Sequence, residues 1–136
     1  MIELSNSNAQ TLSAGQSAIF DTVLLHTGCA ECHRLNSSSI VLTRPNAIYE
    51  ISYSANIGTT VADGTGELSI TINGSPLFET TSIVTTAAGG DLQNVCNSTF
   101  IKTCCCETNL SISLTNTGTT ILNLAAHPRI SIKRLA

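Results

Sequence analysis

Charge is what this chain has least of. Only 11% of its 136 residues are Asp, Glu, Lys or Arg, against about a quarter in an ordinary globular domain. The six basic residues are dispersed and the net charge is −3. No basic cluster is present to neutralise phosphates, which argues against nucleic acid as a partner. No apolar run approaches the roughly twenty residues of a membrane helix, so membrane insertion is not expected. Residues 1–17, MIELSNSNAQTLSAGQS, have neither a basic start nor an apolar stretch, so they do not read as a secretory signal. Trp is absent and Phe and Tyr are few, which leaves little aromatic surface to line a cleft or build a binding platform. Sequence rich in Ala, Lys or Glu, which would favour helices, is also scarce.

What is present is Ser, Thr, Asn and Ile in short alternating runs. In 47-AIYEISYSANI-57, Tyr49, Ile51, Tyr53, Ala55 and Ile57 alternate with polar or exposed partners, the period of a strand with one dry face. The same period runs through Leu68, Ile70 and Ile72, and again through Leu110, Ile112 and Leu114. Asn73-Gly74 is a strong hairpin signal, because both central residues of a type I′ turn need positive φ. Segments 18–26 and 120–124 are apolar on both sides and read as strands buried in a sandwich or an oligomer. In 128-PRISIKRL-135, Pro128 suits the first position of a strand, and the tail is expected to be a central strand. Eight or nine short strands at intervals near ten residues predict an all-β fold, an antiparallel β-sandwich or jelly roll. Residues 18–136 form one domain. Residues 1–17 read as an arm, or as the beginning of the first strand.

The order "FDTVLL", "IYEISYSANI", "GELSITINGSPL" and "SISLTNTGTT…ISIKRL" resembles the C-terminal domain of bacterial collagen-like spore-surface (exosporium) glycoproteins. That domain is a compact jelly roll of the tumour necrosis factor and complement-globular type, and the resemblance covers roughly residues 18–135. It implies a tight homotrimer without known chemistry, at a spore surface. Related domains serve as knobs and decorations on phage particles. The chain departs from the family in having no Gly-X-Y stalk and in carrying six cysteines.

The cysteines carry the remaining signal. Residues 26–35 read HTGCAECHRL, and Cys29, Cys32 and His33 spell C-x-x-C-H, the spacing of a c-type haem attachment. His26 or His127 would be the axial partner. Haem is disfavoured by the shortage of aromatics for its cleft. A zinc site could draw on Cys29, Cys32, His33, Cys104 and Cys106, although three adjacent cysteines are an unusual half-site. The stronger reading is disulfide cross-linking by Cys29, Cys32, Cys104, Cys105 and Cys106. An up-and-down strand count puts the two clusters at opposite ends of the sandwich. Disulfide geometry, with Cα atoms within about 7 Å, then requires a bridge between stacked subunits. A shift of one strand in that count would bring the loops together and allow an internal bridge or a metal. Cys96 lies inside a strand and reads as a small buried apolar residue.

No catalytic constellation stands out. Glu50, Asp63, Glu67, Glu79 and Asp91 are scattered. No G-x-S-x-G or glycine-rich phosphate loop is present, and a Cys–His pairing among His26, His33 or His127 is compositional. Asn36, Asn73, Asn97 and Asn109 each begin N-x-[ST], as a Ser/Thr-rich chain does by composition. The sequence therefore points to a non-enzymatic, self-assembling structural protein on an extracellular surface such as a spore, fibre or virion. Its trimer interface is expected around 18–26, 47–57 and 128–135. The alternatives are a phage decoration or receptor-binding knob, and a metal- or haem-binding protein.

Overall fold

The computed structural model describes residues 1–29, 31–34, 36–106 and 109–136. In chain order the strands are β1 (Ile2–Ser5), β2 (Gln10–Leu12), β3 (Thr22–His26), β4 (Glu31–His33), β5 (Ile40–Leu42), β6 (Ile48–Thr59) and β7 (Gly64–Ile72). They continue with β8 (Ser75–Pro76), β9 (Ser82–Thr86), β10 (Gln93–Lys102), β11 (Leu110–Asn116), β12 (Leu122–Leu124) and β13 (Arg129–Arg134). One 3₁₀ turn, Phe78–Thr80, separates β8 from β9. Among the described residues no helix is long and apolar enough to cross a membrane.

The strands form two antiparallel sheets packed as a sandwich. In the first, the order is β2-β12-β6-β13-β1-β3, with β10 on the far edge of β6. In the second it is β4-β5-β11-β7-β8, with β9 also on β7. The all-β antiparallel sandwich of the jelly-roll class is thus what the sequence predicts. The strands are more numerous than eight or nine, because segments that look like loops add short ladders to both sheets.

Strand β6 organises the first sheet. Its twelve residues alternate as predicted, with Tyr49, Ile51, Tyr53, Ala55 and Ile57 all buried. β13 pairs with residues 49–54 and β12 with residues 57–59 along one edge. β10 pairs with residues 48–57 along the other. Gly58 makes the start of β10 feasible, since a Cβ there would fall 1.8 Å from the Asp91 carbonyl oxygen. The tail strand β13 lies between β6 and β1, with Ile130 and Ile132 fully buried. In the second sheet Asn73 and Gly74 have φ of 50° and 82°, the positive pair a type I′ turn needs.

Three expectations are corrected. Residues 1–17 are not a loose arm: β1 and β2 join the first sheet, and Ile2, Leu4 and Leu12 are buried. Polar spacers such as Asn6 and Asn8, which serve the turn between the strands, mask this alternation in the sequence. Segment 18–26 is not one strand buried on both sides. Ala18 and Phe20 enter the core, and the chain then becomes β3, an edge strand whose Val23, Leu24 and Leu25 remain more than 40% exposed. The return strand that the Asn73-Gly74 hairpin signal implies is not continuous: between residues 76 and 86 it is interrupted by the 3₁₀ turn, which delivers Thr80 into the core.

The two sheets are joined by a buried polar contact. The Tyr53 hydroxyl, on β6, donates to the Thr80 carbonyl at 2.8 Å, lies 3.1 Å from the Leu68 carbonyl and is 2.7 Å from Ser82 Oγ. These three partner groups all belong to the second sheet or its 3₁₀ turn. Burial pushes the Tyr53 hydroxyl above the ordinary tyrosine range, partly opposed by the Ser82 hydrogen bond. Burial likewise raises Tyr49.

Two predictions follow from this packing. Tyr53→Phe leaves the carbonyls of Thr80 and Leu68 without this donor and should destabilise the fold by about 1–3 kcal/mol in urea titrations. Because the unfolded chain ionises tyrosine before the folded chain does, stability is full below about pH 10 and falls as pH rises above it. Tyr53→Phe should flatten that alkaline loss, while Tyr49 keeps part of it. Deleting residues 129–136 removes the strand between β6 and β1 and should abolish the cooperative thermal transition, checked by circular dichroism.

Candidate functional site: the cysteine-bearing end of the sandwich

The two cysteine clusters share one end of the sandwich, contrary to the strand count. β4 pairs with β5 and β5 with β11, so Glu31, Leu42 and Leu110 lie in one row across the second sheet. Cys29 precedes this row, Arg44 follows it, and the run Cys104–Cys106 leads into it from the third strand. The count fails because β4, hidden inside the C-x-x-C-H motif, is itself a strand and reverses the direction of everything after it.

The contacts bear this out. Thr43 Oγ1 donates to the Cys29 carbonyl at 3.2 Å, and the Arg44 guanidinium reaches Cys29 Sγ at 3.3 Å. The Arg44 carbonyl accepts from Thr103 Oγ1 at 2.7 Å. Thr103, 1% exposed, also accepts from the Ala47 N–H at 2.9 Å and returns its own N–H to the Ala47 carbonyl. This threonine therefore fixes the turn after β5 against the residue that introduces the second cysteine run. Cys105 and Cys106 lie with their sulfurs 3.5 Å apart. All six cysteines are exposed, and Cys29, Cys32, Cys96, Cys105 and Cys106 are free thiols.

The C-x-x-C-H motif is split by the strand it sits on. Cys32 pairs with Val41 and is exposed, while the next residue turns to the other face. His33 has Nδ1 3.1 Å from the Ser39 carbonyl and Nε2 3.2 Å from the Phe20 carbonyl. It also packs edge-on against the Phe20 ring, with centroids 6.5 Å apart. Both ring nitrogens thus face backbone carbonyls, and the protonated one donates to its carbonyl, which holds β4 against its neighbours. His26 Nε2 faces the Glu31 carbonyl at 3.2 Å, and His127 sits in a turn with φ of 66°. Among the described residues no group of three or more His, Cys, Asp or Glu side chains is placed to hold a metal ion. The zinc set Cys29, Cys32, His33, Cys104 and Cys106 is brought to one end but not gathered around a common point.

A surface cavity of about 240 Å³ opens beside Cys29, with Glu31, Arg44 and Arg134 in its lining. Glu31 is 1% exposed; Oε2 lies 3.3 Å from the Met1 α-amino group, and Oε1 has no hydrogen-bond partner among the described residues.

Cys96 lies elsewhere and corrects the sequence reading. On β10 the residues Val95, Asn97, Thr99 and Ile101 are half-buried, whereas Cys96, Ser98 and Phe100 are exposed. The apolar residues of this segment fall on both parities, so alternation alone does not say which face is dry. The exposed face was the one with Leu92, Cys96 and Phe100, and only the register with β6 reveals it. Of the N-x-[ST] asparagines, Asn36, Asn73 and Asn109 take positive φ in turns, and Asn97 bonds its own strand.

No family model matches the sequence, and no curated protein does. Among solved structures, the chain is similar to the PRD1 vertex protein P5, at 15% identity, covering 93% of this chain and 94% of that one, with a TM-score of 0.43. A family 35 carbohydrate binding module from Clostridium thermocellum matches at 13% identity over 90% and 96%, with a TM-score of 0.39. The CBM22-1 xylan-binding domain from Paenibacillus barcinonensis Xyn10C matches at 14% identity over 100% and 97%, with a TM-score of 0.41.

The role of Thr103 as the clamp between the two cysteine segments is open to test. Thr103→Val removes the hydroxyl at constant shape and should cost about 1–3 kcal/mol in chemical denaturation. It should also speed modification of Cys104–Cys106 by a thiol reagent relative to Cys96, read by mass spectrometry.

Proposed function

We propose that this chain is a non-enzymatic structural module that self-associates at an extracellular surface such as a virion, a spore or a fibre. One observation carries the reading: all six cysteines are exposed, five of them near one end of a sandwich whose core is otherwise complete. Thiols kept at the surface are available to neighbouring chains, where buried ones would be inert. Oxidation by a low-molecular-weight disulfide such as glutathione disulfide would turn pairs of them into covalent bridges, releasing two reduced thiols for each bond formed. The shared end of the two clusters suits bridges within a chain or to a copy seated on that same end. It removes the geometric reason for bridging opposite ends of stacked subunits.

The trimer that the family resemblance implies would use a smaller interface than the sequence suggests. The apolar faces of β6 and β13 are consumed by the chain's own core. What remains is β3, whose Val23, Leu24 and Leu25 form an exposed apolar edge with Ile19 beside it. Burying such a strip against two neighbours provides the drive for association.

In solution the chain should therefore scatter light as a trimer or a multiple of one at micromolar concentration. Val23→Asp or Leu25→Asp places an unpaired charge in that contact, at a cost on the order of several kcal/mol, and should abolish the three-fold association while the subunits melt close to the parent. A wild-type chain that is monomeric both reduced and oxidised would remove the reading.

A further inference from the structure

Strand β10 is the longest edge of the sandwich and the least protected. The other edges are β2 and β4 with three residues each, the interrupted pair β8 and β9 with its Pro76, and β3, whose ladder with β1 is broken by a bulge. β10 instead pairs with β6 over ten residues without irregularity. From Leu92 to Ile101 it contains no charged residue, no Pro and no Gly. Exposed edges of natural sheets are usually blunted by such residues or by bulges, since unpaired N–H and C=O groups invite another strand. Among the described residues nothing pairs with the far side of β10.

The direction of its free groups can be read. The Ser98 N–H bonds the Asn97 side-chain oxygen at 2.8 Å instead of a β6 carbonyl. Peptide groups alternate along a strand, so the even residues 94, 96, 98 and 100 present their N–H and C=O to the open edge. Their side chains are on the outer face of the sheet.

We infer that β10 pairs antiparallel with β10 of a second copy, about a two-fold axis at Cys96, so that the two Cys96 thiols face each other. This rests on the self-association reading above and names one of its interfaces. Three features fall into place together in this one register. Cys96 opposes Cys96 in a hydrogen-bonded pair, where the Cα separation of about 5.5 Å lies at the commonest disulfide spacing. Phe100, 65% exposed, opposes Leu92 of the other copy, 48% exposed, twice by symmetry. Asp91 and Lys102, the two charges that flank the uncharged stretch, stand at opposite ends of the segment. In this register Lys102 opposes the second copy's Gly90, one residue from its Asp91, so antiparallel pairing sets opposite charges near each other at both ends, whereas parallel pairing would set like charges together. Ser98 exchanges its Asn97 acceptor for the carbonyl of the second copy's Asn94.

The clasp closes by thiol–disulfide exchange. One Cys96 thiolate attacks glutathione disulfide and expels a glutathione thiolate, leaving a mixed disulfide. The second Cys96 thiolate then attacks the protein sulfur and expels the other glutathione. Two protein thiols are oxidised and one external disulfide is reduced to two thiols, the two protons passing through solvent from the Cys96 thiols to the expelled glutathione thiolates.

The experiment uses the full chain with Cys29→Ser, Cys32→Ser, Cys104→Ser, Cys105→Ser and Cys106→Ser, leaving Cys96 alone, and reads association by sedimentation under reducing and oxidising conditions. With glutathione disulfide a dimer band should form that is lost on reduction. Peptide mapping should join the two Cys96 peptides. Ser98→Pro removes an N–H on the open edge only. It should weaken the reduced association by roughly tenfold, because two hydrogen bonds are lost per pair of copies. Lys102→Asp should weaken it by about fivefold, and Asp91→Lys combined with Lys102→Asp should restore it, an outcome that only pairing between copies of this chain explains. Association that persists unchanged in Ser98→Pro and Lys102→Asp overturns the β10 interface and leaves self-association standing. The Cys96-only chain staying monomeric, with Cys96 unlinked in the presence of glutathione disulfide, overturns the β10 interface, and the native chain staying monomeric under the same conditions overturns both.

Discussion

The Tyr53 hydroxyl is the contact on which the rest of the sandwich depends. A two-sheet core of Ile and Leu is held by a force that has no direction, and it would tolerate sliding of one sheet over the other. Tyr53 adds direction. It rises from the middle of β6, the strand bonded along both edges, and ends among Thr80, Leu68 and Ser82 of the opposing layer. Thr80 in turn donates its hydroxyl to the Leu77 carbonyl and accepts from the Ile70 N–H, so the 3₁₀ turn, β7 and β6 form one connected polar unit inside an apolar core. A partly satisfied network at this depth would cost more than an apolar one. Here each member has a partner, and the relative placement of the two sheets follows from it.

Much of the fold was legible in the sequence wherever one parity of a segment is apolar and the other polar. That holds for 47–57, for 67–72 with its Asn-Gly turn, and for the tail strand, whose Ile130 and Ile132 are fully buried. It fails where both parities mix. In β10, Val95 and Ile101 compete with Leu92, Cys96 and Phe100, and a strand that slips by one residue exchanges all its side chains between faces. It fails again in β3, where three consecutive apolar residues look like burial but belong to an edge. The N-terminal strands were hidden for a different reason. They are three and four residues long, too short for periodicity, and each has a partner more than a hundred residues away in sequence.

The candidate site was legible as a set of residues and not as a place. Composition singled out Cys29, Cys32 and Cys104–Cys106 because six cysteines in a chain so poor in other reactive groups need an explanation. Their relative position depended on whether three residues, Glu31–His33, form a strand, and no local signal in E-C-H says so. What makes them one is tertiary: His33 is drawn inward between the Phe20 and Ser39 carbonyls, which leaves Cys32 outward beside Val41. The same alternation that builds the strand separates Cys32 from His33 and so dissolves the C-x-x-C-H motif as a ligand set.

The low charge of the chain and its exposed thiols are two sides of one surface. The outer face of the first sheet carries Ser52, Ser54, Ser98 and Ser131 in adjoining registers, with the Glu3–Arg129 ion pair beside them. Such a face is solvated by hydroxyls, and hydroxyls neither repel a second copy as like charges do nor attract one at a distance. Electrostatic steering has little to act on between two such molecules, and an approach in the wrong register carries little penalty. In the proposed pairing, discrimination would come mainly from groups that act at contact: unpaired backbone on an edge, apolar side chains that need a matching hollow, sulfurs that bond only within a few ångströms, and the Asp91 and Lys102 charges at the two ends of β10. Those are the groups this sandwich leaves exposed, on β3, on β10 and at the cysteine-bearing end.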